Sequence, residues 1–318
     1  MNQGLSRREM LAGAGIALGA GVTSAFQSTT AAAVDGRDAV KRFRYCLNTG
    51  TIRGHKLDLP TSVELVARAG YSGIEPWVRE IDAYAKAGGS LSDLGKRISD
   101  LGLTVESAIG FSQWIIDDDD KRAAALEQAK REMDLVRQIG GTRIAAPPAG
   151  ATKQTGMNLF DAAGRYRALL EAGASIGIVP QVEVWGFSKT LGRLGEAVFV
   201  AIESGHREAC VLPDVYHVYK GGSEFTGLKM LSGNAIHVFH VNDYPTNPPR
   251  DKVSDADRVY PGDGDAPLDD IFRTLRDIGF HGALSLELFN RDYWAQDVND
   301  VLKAGLDKTR AAVDRALG

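Results

Sequence analysis

Four residues able to bind a metal or move a proton each close a separate apolar run of the chain. They are Glu183 in IVPQVEVWG, Asp214 in CVLPDVYH, His240 in IHVFHVND and Glu287 in ALSLELFN. Taken singly, each is an ordinary polar residue at a strand end. As an ordered series they are what successive strands need to hold one divalent cation at a shared end. Alternation within the runs supports this. Leu284, Leu286 and Leu288 alternate with Ser285, Glu287 and Phe289, while Val182 and Val184 alternate with Gln181, Glu183 and Trp185. If the aliphatic positions face covering helices, both glutamates face the enclosed side. An enclosed carboxylate costs several kcal/mol unless it is paired, protonated or bound to a cation. Two glutamates, an aspartate and a histidine meet that cost together around one metal. Parity does not choose between His237 and His240, which fall on opposite faces; His240 is preferred because it lies nearer the C-terminal end of its run. The donor set is oxygen-rich with one imidazole. It suits Mn²⁺ first, with Mg²⁺, Co²⁺ or Zn²⁺ as alternatives, and not a thiolate-seeking ion.

What must position these residues is a regular alternation of short apolar runs with longer amphipathic stretches. The runs span 44–50, 71–77, 103–111, 142–150, 178–186, 209–217, 235–243 and 282–290. Between them lie segments such as SVELVARAG and LDDIFRTLRDIG, with apolar residues at helical spacing and a final Gly suited to a helix C-cap. Strands alternating with helices require parallel pairing. Eight such units predict an α/β fold, a (β/α)8 TIM barrel, with chemistry at the C-terminal ends of its strands. A doubly wound sheet is the runner-up, but it would carry a Gly-rich phosphate turn where this chain reads Asn48-Thr49-Gly50-Thr51. Nothing divides residues 43–315, so one barrel domain is predicted there. The longest strand-poor insertion, residues 244–267, holds Pro245, Pro248, Pro249 and Pro261 and leaves the seventh strand at the end where the site would lie.

The 318 residues are 44% hydrophobic and 25% charged, with a formal net charge of −4, the balance of a soluble globular protein. That balance argues against a nucleic-acid partner, which would require a basic excess. The run Asp117–Asp120 reads as a solvated loop or a helix start. Residues 1–33 read as a leader: Ser6-Arg7-Arg8-Glu9-Met10-Leu11, then a weakly apolar stretch to Phe26, then Ala31-Ala32-Ala33. This resembles a twin-arginine (Tat) export signal, with a linker over 34–42. The apolar stretch is too short and glycine-rich for a good membrane span. The mature protein is therefore expected in the periplasm or otherwise exported, without a stable span, after handling by the Tat machinery. That route carries folded proteins and is compatible with a metal acquired beforehand. Cys46 and Cys210 fall in the first and sixth runs, which are not neighbours, so two buried free thiols are expected.

The segments GYSGIEPW, QVEVWG, LPDVYH, HVFHVND, RVYPGDG and LSLELF, with the chain over roughly 43–310, resemble the xylose isomerase-like TIM barrels called sugar phosphate isomerase/epimerases. That group includes ketose 3-epimerases, hydroxypyruvate isomerases and inosose dehydratases. The resemblance implies one metal held by Glu183, Asp214, His240 and Glu287, with Glu183 and Glu287 also acting as an acid/base pair on opposite faces of a sugar. It implies a substrate contact for His217 and a hydroxyl- or anion-binding role for Arg258, for which a solvated loop arginine is the alternative. Trp185 and Trp114 are candidate sugar platforms, although tryptophan at a barrel mouth equally serves packing. Glu75 in GIEPW joins the site candidates, with an internal hydrogen-bond role as its alternative. Asp243 is a candidate to orient His240 from behind. Barrels of this kind often pair, so a homodimer is a candidate assembly that no sequence patch argues for.

These parts predict a metal-dependent sugar isomerase or epimerase. A cation polarises a carbonyl, a carboxylate removes the neighbouring proton, and the resulting enediolate is reprotonated. The same enediolate can expel water or an aglycone from an oxidised sugar, inositol or glycoside, which is the lyase or dehydratase alternative. A sugar-binding barrel without turnover is disfavoured by two opposed glutamates. A DNA-repair endonuclease would want more histidines than the six present and a basic groove. One departure from ketohexose epimerases stands out: after Glu183 the chain reads Gly186-Phe187-Ser188-Lys189, without their second acid.

Overall fold

The computed structural model describes residues 43–318; the leader expected over 1–33 and the linker over 34–42 lie outside the described residues. All eight apolar runs contain a strand: β1 Arg44–Asn48, β2 Gly73–Glu75, β3 Thr104–Val105, β4 Arg143–Ala146, β5 Val179–Glu183, β6 Val211–Leu212, β7 Val238–Val241 and β8 Ala283–Leu286. Neighbours pair in parallel in the orders β3-β2-β1-β8-β7 and β4-β5-β6. Two seams close these into one barrel. Across the first, the Ala108 N–H donates to the Arg143 carbonyl at 3.2 Å and the Ala145 N–H to the Ala108 carbonyl at 2.8 Å. Across the second, Val211 bridges Ile236 and Asp214 bridges His240. Closure excludes the doubly wound sheet.

Each strand divides its side chains between two environments, as its period of two requires. Leu47, Ile74, Val182, Phe239 and Leu286 join the layer between strands and helices, whereas Cys46, Ala145, Leu212, Val238 and Ala283 form the inner barrel cluster. Small inner residues leave room for polar groups at the two ends of the barrel. On the inner face, Gly73 lies opposite Cys46. A Cβ at Gly73 would come within 2.7 Å of Glu106 Cγ. Glu106 in turn receives Arg44 Nε at 2.6 Å and Nη2 at 2.8 Å. Both thiols are buried and free.

The helices start and stop where the sequence places the signals. Asp118 accepts from the Lys121 N–H at 3.0 Å and caps the helix Asp119–Gln138, so the acidic run is a helix start. The helix Leu59–Ala69 ends on Gly70 at φ 92°, a left-handed conformation that suits glycine. Among the described residues no helix is long and apolar enough to cross a membrane.

The fully buried Phe239 side chain anchors β7, which carries His240, to the outer layer. Phe239→Ala is expected to cost about 3–5 kcal/mol in urea unfolding followed by circular dichroism. A loss below about 1 kcal/mol would contradict this packing.

Candidate active site

The site is assembled from the floor upward, beginning with Glu75 at the end of β2. Its side chain is fully buried, and Oε2 accepts from Asn48 Nδ2 at 3.0 Å and from Ser285 Oγ at 2.7 Å, with His240 Nε2 at 2.9 Å. Burial raises the Glu75 pKa, but His240 and the hydrogen bonds outweigh it and hold the carboxyl below its ordinary value. Glu75 is therefore a carboxylate that takes the proton-bearing Nε2 of His240. The other ring nitrogen, Nδ1, is buried without a hydrogen-bond partner among the described residues. It lies 3.5 Å from Glu287 Oε2 and 3.8 Å from Asp214 Oδ2. Burial opposes charge on His240, yet Glu75 and Glu287 outweigh it and push the ring up to about 10. This corner calls for a cation.

A divalent ion fits the residues present. One ligand atom from each of Asp214, His240 and Glu287 can be chosen so that all lie within 4.8 Å of one another. The orphaned Nδ1 faces two carboxylate oxygens, and Glu75 fixes the opposite nitrogen as donor, the arrangement found behind metal-bound histidines. Glu183 is not in that trio. It lines the cavity, almost fully buried, with Oε2 unpartnered among the described residues. Burial pushes its carboxyl up to about 8; His240 opposes this while Glu287 adds to it. The difference has a cause. Asp214 and Glu287 share Arg258, whereas among the described residues no arginine or lysine pairs with Glu183.

Arg258 reaches the carboxylates from the loop 244–267. Its Nη1 donates to Asp214 Oδ2 at 3.0 Å and Glu287 Oε2 at 2.9 Å, and its guanidinium lies 4.4 Å from the centre of the Tyr216 ring. Nη2 lies 3.1 Å from His217 Nε2. Burial, then the charges of Arg258 and His240, drive the His217 pKa far down, so this ring is neutral. Asp214 also caps the short helix Val215–Lys220, accepting from the His217 N–H at 2.8 Å through Oδ1. Its Oδ2 additionally receives Asn242 Nδ2 at 3.0 Å. A single aspartate thus couples the trio to the placement of His217.

Above this floor is a cavity of about 370 Å³ with Glu183, Glu287 and His217 among its lining residues. Aromatic rings form its wall: Trp77 and Phe111 lie 5.1 Å apart between centroids, Phe111 and Trp185 5.9 Å, Trp185 and Phe187 5.2 Å. Trp185 is where a sugar platform would be. Trp114 is not: it is buried, donates to the Pro147 carbonyl at 2.8 Å and packs on Tyr166. Glu75 lies beneath His240, outside the cavity lining. Asp243 does not touch His240. Three positions further along extended chain, it points to the other side and accepts four backbone N–H groups. They come from Tyr244 and Ala266 at 2.8 Å, Gly262 at 3.0 Å and Gly264 at 3.1 Å.

Sequence reasoning missed Asn48, Asn242 and Arg53. Asn48 pairs in register with Glu75 and donates to Glu287 Oε1 at 3.1 Å. Its place within the first run, two residues before Gly50, was the available signal. Asn242 offered none beyond its place between His240 and Asp243.

Comparison with known proteins follows this geometry. The family described as xylose isomerase-like TIM barrel matches residues 63–312. An inosose isomerase of Bacillus velezensis is 24% identical over 281 residues, 86% of this chain and 98% of that protein. A 3-dehydroshikimate dehydratase of Pseudomonas aeruginosa is 24% identical over 239 residues, covering 74% of this chain but 37% of its own length. In fold, the chain is similar to a crystal structure of the IolI protein with a bound zinc atom, with a TM-score of 0.79 at 21% identity, covering 86% of this chain and 99% of that one.

Two substitutions test the supporting contacts. Glu75→Gln can still hydrogen-bond His240 but no longer carries the charge behind it; Zn²⁺ affinity in calorimetry should fall about 10–100-fold. Unchanged affinity would remove Glu75 from the site. Asp243→Asn can turn contacts with the Gly262 and Gly264 N–H groups into donor–donor contacts. It should cost about 3 kcal/mol and speed hydrogen exchange at Gly262, Gly264 and Ala266. Unaltered exchange at those amides would refute the loop-anchoring role.

Proposed function

The chain belongs to the xylose isomerase-like TIM barrel family, and on that premise we propose that it is an exported, divalent-metal-dependent isomerase or epimerase of a sugar derivative. The observation that carries the reading is the orphaned Nδ1 of His240 facing Asp214 and Glu287, beside a second glutamate on the same cavity. Asp214, His240 and Glu287 would hold the ion, with Glu183 as fourth donor; Mn²⁺ is our first choice and Zn²⁺ the alternative suggested by the zinc in the IolI structure. The ion supplies Lewis acidity toward the oxygens of an α-hydroxycarbonyl substrate.

The remaining chemistry belongs to side chains. Glu183 lines the cavity with an Oε2 that is unpartnered among the described residues, so it is placed to take up or return a substrate proton. Glu287, also raised by burial, is the second proton-transfer group. A proton removed beside the carbonyl and returned from the other face inverts the carbon; returned to its neighbour, it isomerises the substrate. His217, kept neutral, and Arg258 orient a substrate oxygen, and the aromatic wall offers ring faces to the sugar's C–H surface. Phe187 occupies the stretch where the ketohexose epimerases place an acid, which argues against a plain ketohexose. A second reading, elimination of water or an aglycone, is supported by the dehydratases that match most of this chain. The Ser6–Ala33 pattern supports export through the Tat machinery to the periplasm.

The test is metal content by mass spectrometry. The purified protein should carry about one equivalent of Mn, Co, Mg or Zn, and His240→Ala and Glu287→Gln should lose most of it. With oxidised and unoxidised sugars in D₂O, deuterium should enter beside the carbonyl, and loss of water or aglycone would identify the lyase. A wild-type protein that takes up no divalent ion from excess sinks the proposal.

A further inference from the structure

The aromatic wall holds a charge that the acid/base chemistry does not use. Arg53 lies in the 3-10 turn Thr49–His55 that follows β1 and lines the cavity with Glu287. Its guanidinium carbon lies 5.2 Å from the centre of the Trp77 ring, 5.1 Å from that of Phe289 and 5.3 Å from that of Trp294. The described residues offer it neither an ion pair nor a hydrogen bond. The carboxylates that act on it electrostatically are Glu287, Glu80 and Asp255, and each is committed elsewhere. Glu287 receives Arg258 and Asn48, Glu80 receives Thr49 Oγ1 and the Trp77 N–H, and Asp255 pairs with Arg258. Partial burial and the nearby Arg79 both work against the Arg53 charge, and no carboxylate among the described residues pairs with it directly.

The turn that carries Arg53 is held in place. Gly54 has no room for a Cβ against the Trp294 indole, and that indole donates to the Thr51 carbonyl at 3.0 Å. His55 Nε2 contacts the Gln296 carbonyl at 3.0 Å. An arginine whose backbone is fixed, whose plane is supported by rings and whose N–H groups lack acceptors is preorganised for a ligand anion. Guanidinium geometry matches a carboxylate through two parallel hydrogen bonds. The cavity, at about 370 Å³, lies near the lower end of the range for small-molecule sites, about 300–1,000 Å³. That size suits a sugar-sized molecule.

Building on the function proposed above, we propose that the substrate is a sugar-derived carboxylic acid whose carboxylate is received by Arg53, while its hydroxyl-bearing carbons face Glu183 and Glu287. A carboxylate received at Arg53, with the hydroxyl-bearing carbons toward Glu183 and Glu287, fixes the orientation of such a molecule in the cavity.

The experiment is calorimetric binding to the purified, metal-loaded protein. The probes are D-glucuronate, D-galacturonate and D-gluconate against D-glucose and D-galactose, with D-glucose 6-phosphate as the other anion. The sugar acids should bind at least about tenfold more tightly than the neutral sugars, a difference of about 1.4 kcal/mol. Arg53→Met, which keeps apolar packing against the rings, should abolish that preference, and Arg53→Lys should restore part of it. Equal binding of acids and neutral sugars overturns the inference. So does an acid preference that survives in Arg53→Met, the absence of sugar-acid binding at millimolar concentration, or a preference for the phosphate over every carboxylate. Metal content and thermal stability of the same samples separate the two proposals. Metal-loaded, folded protein without acid preference fails this inference alone, whereas Arg53-dependent acid preference in protein that takes up no metal upholds it while the metal reading falls.

Discussion

The structure depends on compensating negative charge in a place that water hardly reaches. Glu75, Glu183, Asp214 and Glu287 all end at one mouth of the barrel and are all nearly or fully buried. Like charges at such separations repel strongly where the surroundings polarise poorly. Each carboxyl is relieved differently. Glu75 gathers three donors on one oxygen, and Asp214 and Glu287 share Arg258. Glu183 has an Oε2 without a partner among the described residues, and burial first, then the neighbouring Glu287, raises its affinity for a proton.

That compensation requires a loop to behave as part of the barrel. Arg258 comes from the long segment after β7, whose proline content and lack of strands suggest independence. Asp243 removes it. By accepting four backbone N–H groups from both ends of the segment, it substitutes for the ladder that a strand would provide, and Val259 bridges back to its main chain. Glycine at 264 is part of the arrangement, because a Cβ there would collide with the Asp243 carboxylate. The guanidinium that neutralises Asp214 and Glu287 is thus held at second hand by a carboxylate facing the other way.

What was legible in the sequence was whatever a strand decides locally. Alternation put Glu183 and Glu287 on the inner face, and all eight strands fell inside the apolar runs. The choice of His240 over His237 rested on position along the strand, and the structure places His240, fully buried, against Asp214 and Glu287. What was not legible was which residue of another strand stands behind a given group. Glu75 supports His240 because β1, β2 and β8 bring Asn48, Glu75 and Ser285 together, a relation set by barrel register. Asp243 was offered that role on proximity in sequence, and extended geometry turns it away. Trp114 follows a very short third strand, and its indole found a backbone carbonyl and Tyr166 on the helix side. Arg53 gave no local signal at all, since its meaning lies in three rings from two distant segments.

The stretch after β5 shows how the floor and the wall are linked. Gly186 packs so closely on the helix bearing His217 that a Cβ there would strike the His217 carbonyl. This approach brings Phe187 within 5.7 Å of the His217 ring and 5.2 Å of Trp185. An acid at this place would add one more negative charge to a mouth already short of positive charge. An aromatic ring adds none, and by displacing water it strengthens every remaining electrostatic contact in the cavity. Absence of the second acid and the aromatic character of the wall are then one adaptation. The site keeps its charges at the floor and lines the cavity above them with rings that a few polar groups interrupt.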